Sequence, residues 1–144
     1  KSRKTQKTYL ALVDGEAPTP SGRIETSIGR DEKNRKRMAV AYGDKGKPAV
    51  TEYHTMERFQ GHTLLEVTPL TGRTHRIRVH LAFIGCPVTG DRIYGRRKKS
   101  LDISRFFLHA YKLRIKLPGE SETTEFTAPL AADLKAILTT LERE

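Results

Sequence analysis

Apolar and polar residues along the chain follow two periods, which together predict seven strands and two helices. Alternation with a period of two, or a short β-branched and apolar run, is typical of strands. Such segments occur at residues 8–13, 24–28, 37–42, 50–58, 62–68, 106–117 and 123–127. Short glycine-containing turns separate the fourth segment from the fifth and the sixth from the seventh. Each of these two pairs should therefore form an antiparallel hairpin.

A helical period begins at residue 73 and continues to residue 84. Ile77, Leu81 and Ile84 follow the spacing i, i+4 and i+7, which places them on one stripe. Val79 and Phe83 lie on roughly the opposite side. A helix with apolar residues on both sides should be mostly buried. Gly85 and Pro87 follow directly, as expected where a helix ends.

The second helix is predicted at residues 131–141, near the C-terminus. Its apolar positions share one face: Leu134, Ile137, Leu138 and Leu141. The whole pattern predicts an α+β domain with a mixed, mainly antiparallel sheet, a basic helix and a C-terminal amphipathic helix. The 144 residues suit one domain, and neither βαβ repeats nor a glycine-rich phosphate loop is present in the sequence.

The charge balance favours a polyanionic partner. Lysine and arginine number 27 against 17 acidic residues, a net charge of +10. Such an excess attracts nucleic acid, whose binding depends on phosphate neutralisation. A membrane surface is less favoured, because no apolar run approaches the roughly 18 residues needed to span a bilayer. Cys86 is the only cysteine, which excludes an internal disulfide framework and fits a reducing, cytoplasmic compartment.

Metal and nucleophile chemistry find little support in the sequence. The five histidines form no His-x3-His pair beside a glutamate, and no serine occupies a nucleophile elbow. We therefore expect no metal and no cofactor. The notable concentration of polar groups is in residues 71–80, where three arginines and two histidines lie within the predicted buried helix. Buried cations need anionic partners, either carboxylates of the protein or phosphates of a ligand.

The three arginines of this helix should have different partners. Arg78 flanks the Ile77 stripe and is expected to reach inward and pair with a carboxylate. Arg73, near the start of the helix, is expected to meet a phosphate, helped by unpaired backbone N–H groups. The alternative is a solvated cationic face, which is the usual explanation for a run of charges.

Four blocks of the sequence resemble the RluA-type RNA pseudouridine synthases. They are residues 7–15, 67–80, 84–95 and 105–110, which occur in the family's order and are spread over most of the length of the chain. The block Thr-Gly-Arg-Thr-His followed by Ile-Arg-Val-His, within residues 71–80, is the most specific. Two positions depart from the family: Arg76 stands where glutamine is usual, and Cys86 where histidine is frequent.

The resemblance implies an isomerase that converts uridine to pseudouridine in ribosomal or transfer RNA without a cofactor or metal. The target nucleotide would be flipped out of its stack. An aspartate performs the covalent or acid–base step in this family. By resemblance, Arg78 pairs with that aspartate and Tyr9 contacts the flipped base. We expect the RNA to be bound by Arg73, Thr74, His75, Arg76 and His80.

The family's aspartate belongs to a His-Arg-Leu-Asp block that this sequence lacks. We therefore expect residues 1–144 to be the C-terminal part of a catalytic domain, inactive alone and prone to associate through an exposed sheet edge. Arg78 should then find a substitute anion, face solvent or leave the site partly disordered. Asp91 is expected to be structural and to tie its loop to the basic helix. The alternative functions are a non-catalytic RNA-binding module and, with less support, a ribosomal or structural protein.

Overall fold

The computed structural model describes residues 5–34, 37–42, 46–71, 74–96 and 101–144. The described strands and helices, in chain order, are β1 Thr5–Asp14, β2 Ser21–Arg30, β3 Met38–Ala41, β4 Lys47–Phe59, β5 His62–Pro69, α1 Thr74–Phe83, β6 Leu108–Lys116, β7 Thr123–Thr127 and α2 Ala132–Thr140. All seven predicted strands and both predicted helices are confirmed at these positions.

The strands form one sheet in the order β3-β2-β4-β5-β1-β6-β7. All six pairings among the described strands are antiparallel, so the α+β class is confirmed but the expected mixed character is not found. Both predicted hairpins are present, β4 with β5 and β6 with β7. Short connections explain the antiparallel pairing in these two hairpins, because a parallel neighbour would need a long crossover.

The alternating side chains of β1 supply two cores, one on each face of the sheet. Ala11 and Val13 pack with residues of α1 and the loop that follows it. Leu10 and Leu12 pack on the other face, in a cluster that includes Leu134 of α2. Each fully buried aliphatic side chain of this kind contributes roughly 1.5–3 kcal/mol. The sheet therefore separates α1 from α2, and the basic helix has its own side of the domain.

Three strands extend further than their sequence patterns predict. β1 covers Thr5–Asp14 rather than residues 8–13, β2 covers ten residues rather than the five of the apolar run, and β4 begins at Lys47 rather than at residue 50. Pairing explains the length of β2 and β4, because Ile28 lies opposite Lys47 and Ser27 opposite Pro48 in the ladder between them. Residues 43–45, shortly before β4, lie outside the described residues.

Helix α1 is buried on two sides, as predicted. Ile77 and Leu81 are fully buried in the cluster with β1, and Val79 packs on Ile28 and Ala49 of β2 and β4. The prediction is wrong for Phe83, which is 51% exposed. Phe83 is the last residue of α1 and lies outside the cluster around Val79.

The chain turns immediately after α1. Gly85 has a φ of +94°, a conformation that favours glycine, and its N–H donates to the carbonyl of Ala82. The predicted end of the helix is thus confirmed.

Among the described helices, none is long and apolar enough to cross a membrane.

Candidate functional site

Arg78 and Asp91 form a buried, two-point ion pair between α1 and the loop that follows it. The Nε of Arg78 donates to Oδ2 of Asp91 over 2.7 Å, and Nη2 donates to Oδ1 over 2.9 Å. The side chain of Arg78 is 7% exposed and that of Asp91 is 0% exposed. The inward orientation expected for Arg78 and the expected tie between Asp91 and the basic helix are both confirmed. Asp91 is thus the substitute anion for Arg78 within this chain.

Asp91 is held in place by its own loop. Its Oδ1 also accepts hydrogen bonds from the backbone N–H groups of Ile93 at 3.0 Å and Tyr94 at 3.1 Å, and its carbonyl accepts from Gly95. Burial by itself would raise the pKa of Asp91, but the hydrogen bonds from Arg78 and from these N–H groups lower it below its ordinary value. The carboxylate therefore stays ionised opposite the guanidinium.

Two aromatic rings lie close to the guanidinium of Arg78. Its central carbon is 4.1 Å from the ring centroid of Phe106 and 5.1 Å from that of Tyr94. A guanidinium in such contacts gains cation–π attraction and loses freedom to rotate. The plane of Arg78 is therefore restrained by ring contacts as well as by the carboxylate.

Tyr94 connects this cluster to strand β3 and to His75 of α1. The hydroxyl of Tyr94 lies 2.7 Å from Nδ1 of His75 and accepts a hydrogen bond from the backbone N–H of Met38 at 3.0 Å. Which of these two atoms donates depends on the tautomer of His75. Burial and the nearby charge of Arg78 lower the pKa of His75, which favours the neutral ring. The imidazole is partly exposed.

His80 does not have the exposed position expected of an RNA-binding residue. The ring is completely buried, and its nitrogens lie 2.8 Å from the hydroxyl of Thr26 and 2.7 Å from that of Thr51. Burial, assisted by the charge of Arg76, lowers the pKa of His80 to about 4. The expected RNA contact is therefore corrected: His80 is a neutral group that joins α1 to β2 and β4. Its position between two strands was not predictable from the helix period alone.

Tyr9 lies on the same face of the sheet as α1. It is partly buried and packs on the cluster that contains Ile77, and Phe106 packs on that cluster too. Tyr9 also borders a groove of about 300 Å³ lined by Lys7, Phe126 and neighbouring residues of β6 and β7. The two residues expected to be catalytic, Tyr9 and Arg78, are therefore on one side of the sheet, and Phe106 contacts Arg78 there.

The remaining expected RNA contacts are only partly covered by the structure. Arg76 is described and partly exposed, whereas Arg73 and the side chain of Thr74 lie outside the described residues. In the described part of the chain, no group of three or more histidine, cysteine, aspartate or glutamate side chains is arranged to hold a metal ion.

The sequence pattern does not indicate the roles of Tyr94 and Phe106. Both lie in blocks that resemble the family, residues 84–95 and 105–110, but the pattern assigns a function to neither. A signal existed for Tyr94, because it lies three residues after Asp91 on a turn that starts with glycine. No comparable signal existed for Phe106, since its contact with Arg78 depends on the path of the chain after residue 96.

Comparison with known proteins gives one consistent result. The model of a family described as RNA pseudouridylate synthase matches residues 1–83. An uncharacterized RNA pseudouridine synthase of Chloroflexus aurantiacus is 47% identical over 98% of this chain and 44% of its own length. The ribosomal large subunit pseudouridine synthase D of Borreliella burgdorferi is 44% identical over 84% of this chain and 37% of its own length.

A solved structure shows the same fold. Human RNA pseudouridylate synthase domain containing 1 superposes with a TM-score of 0.80 and 30% identity, over 99% of this chain and 61% of that chain. The chain thus spans less than half the length of the two bacterial relatives and about three fifths of the human structure.

Proposed function

Because the chain belongs to the RNA pseudouridylate synthase family, and to its RluA type, we propose that it forms part of an enzyme that isomerises uridine to pseudouridine in structured RNA. The observation that carries the proposal is the restrained, buried guanidinium of Arg78 on the same sheet face as Tyr9. A fixed cation on the same sheet face as a phenol suits a site that must orient a carboxylate and a flipped base. The RNA would be ribosomal large-subunit RNA or transfer RNA, in the cytoplasm.

In this proposal the reaction breaks the bond between ribose and a ring nitrogen of uracil, which gains a proton, and forms a bond between ribose and a ring carbon, which loses one. Tyr9 contacts the base while it is detached and rotated, since a phenol can both stack and exchange a proton. Arg78 pairs with the family's aspartate and keeps it ionised and oriented. No cofactor or metal takes part.

We place the catalytic aspartate outside residues 1–144. The sequence contains no His-Arg-Leu-Asp block, and four of its aspartates have partners within the chain. These pairs are Asp14 with Thr89, Asp31 with Arg37, Asp91 with Arg78 and Asp133 with Arg105. The greater length of the relatives supports the same placement. Residues 1–144 would then be the C-terminal part of a catalytic domain.

RNA binding in this proposal uses the exposed side of α1 and its N-terminal end. Arg76 and the ring of His75 are partly exposed, and Arg73 and Thr74 come just before them in sequence. A net charge of +10 would attract the RNA from a distance.

The edge strand β7, whose residues are mostly exposed, could also pair with a second copy of the chain. Sedimentation at increasing concentration tests this self-association, and a monomer at all concentrations contradicts it.

A second candidate is a non-catalytic RNA-binding module. One observation favours it: Asp91 already neutralises Arg78, so the buried charge is complete without another carboxylate. In that case substitution of Arg78 would change the stability of the fold, and it would impair no catalytic step because none takes place.

The deciding experiment compares the full-length gene product with the isolated 144-residue chain on ribosomal and transfer RNA. The RNA carries tritium on the uracil carbon that becomes bonded to ribose, so each isomerisation releases one label. We expect release by the full-length protein and none by the isolated chain. Release by the isolated chain would contradict the placement of the aspartate elsewhere. RNA binding by the full-length protein without release from any of these RNAs would favour the binding module.

A further inference from the structure

The pair formed by Arg78 and Asp91 leaves one side of the guanidinium available. Of the five N–H groups of an arginine, Asp91 receives hydrogen bonds from Nε and Nη2, which lie on one edge. Tyr94 and Phe106 contact the guanidinium through their rings. The group at Nη1 takes no part in the pair with Asp91, so it marks the direction in which Arg78 can meet a second anion.

We propose that Asp91 is a positioning residue of the synthase site, which holds Arg78 so that its Nη1 side faces the catalytic carboxylate. This inference rests on the proposed function. The carboxylate of Asp91 aligns the fork of the guanidinium, and the rings of Tyr94 and Phe106 restrain its plane. One arginine can then bridge two carboxylates, one structural and one catalytic, because the two use different edges.

The loop around Asp91 supports this role because it fixes the carboxylate before any RNA is bound. Backbone N–H groups of Ile93 and Tyr94 hold Oδ1, and Tyr94 is itself tied to His75 and to Met38 of β3. It matters that the guanidinium of Arg78 is held in place before the RNA binds, since an error of about 1 Å in the position of a catalytic group can lower the rate about a hundredfold.

The chain offers a matched control in a second two-point pair. Arg105 donates to Asp133 through Nε and Nη2, each over 2.9 Å, but both side chains are about half exposed. The hydrogen-bonding pattern is the same as in the pair of Arg78 with Asp91. Substitution of Asp133 therefore removes an equivalent ion pair at the surface, beside α2.

The test uses Asp91→Asn and Asp133→Asn in the full-length protein. In Asp91→Asn the remaining oxygen can still accept from the loop N–H groups, while the new amide nitrogen cannot accept from Arg78. We expect kcat for tritium release to fall by at least about tenfold, with KM for the RNA within about twofold. Asp133→Asn should retain both constants. Phe106→Leu, which keeps an apolar side chain but removes the ring, should lower kcat in the same sense.

Kinetic constants are measured per folded molecule, with the fraction folded taken from thermal unfolding. If Asp91→Asn melts earlier but its folded fraction turns over at the wild-type rate, Asp91 is merely structural and the proposal is overturned. If Asp91→Asn does not fold, an unchanged kcat in Phe106→Leu overturns it equally. If the wild-type protein releases no label, the proposed function and this inference are both overturned. If the wild type is active and the variants turn over at its rate, only this inference is overturned, so the two failures can be distinguished.

Discussion

The Nδ1 atom of His80 lies 2.7 Å from the hydroxyl oxygen of Thr51, and neither side chain has any exposed surface. Nε2 of the same ring lies 2.8 Å from the hydroxyl of Thr26, so the imidazole connects α1 to two adjacent strands. A neutral imidazole has one donor and one acceptor, and rotating hydroxyls can satisfy both. His80 therefore sets the distance between the helix and the sheet without a charge.

Replacement of His80 by alanine should destabilise the protein by about 3 kcal/mol. The change leaves a cavity and deprives the buried hydroxyl of Thr51 of its partner, each of which is costly. Chemical denaturation measures the loss. His54→Ala is the control, because His54 is an exposed histidine of β4 with a single side-chain bond to Ser21. Equal losses in the two variants would contradict the role of His80.

Stability should fall on acidification because of the same ring. The pKa of His80 is lowered from 6.5 to about 4 in the folded protein, so between these values the unfolded chain binds more protons. The contribution of neutral His80 to the free energy of unfolding is fully present above pH 6.5 and is lost as the pH falls toward 4, a change on the order of 3 kcal/mol. The free energy of unfolding, measured across this range, should therefore fall as the pH is lowered. His80→Ala should have a smaller slope, and an unchanged one would refute the assignment.

Arg78→Lys should lower stability even though it keeps the charge. Lysine cannot donate through two fixed N–H groups to the buried Asp91, and a poorly paired carboxylate inside the protein costs about 2–3 kcal/mol. Thermal and chemical unfolding measure the effect. Arg105→Lys makes the same substitution in the exposed pair with Asp133 and should have little effect. A comparable loss at Arg105 would show that burial is not the cause.

Arg76→Ala should weaken RNA binding in a salt-dependent way. If Arg76 neutralises one phosphate, its loss should reduce the slope of log affinity against log salt by about 1. Binding is titrated at several salt concentrations. Arg114→Ala provides the control, because Arg114 is an exposed arginine on β6 beside Glu125. A slope that changes equally in both variants would indicate a general effect of charge rather than a contact.

In the full-length protein, Tyr9→Phe should reduce turnover and leave the affinity for RNA nearly unchanged. The ring keeps its packing against the cluster around Ile77, while the hydroxyl to which we assign proton exchange is removed. We expect a fall in kcat of about a hundredfold, the lower end of typical general acid–base contributions. Tyr111→Phe is the matched control, since Tyr111 packs on the opposite core. Wild-type turnover in Tyr9→Phe would restrict Tyr9 to stacking.

Much of the fold could be predicted because its signals are local. The strand alternation, the glycine at residue 85 and the apolar stripe through Ile77 depend on neighbouring residues, and each appears in the structure as predicted. The limits of β2 and β4 could not be predicted, because they depend on how far two strands pair. The exposure of Phe83 likewise depends on which element covers the end of α1.

The sequence by itself determined the two periods, the excess of positive charge and the family blocks, and so the class of fold and the family. Which cations are exposed and which are internal was decided only by tertiary structure. Arg78 and His80 are two residues apart on one helix, yet one pairs with a loop carboxylate and the other with threonines of two strands. The physical reason is that a helical period sets the direction of a side chain, whereas its partner depends on which distant segment packs there.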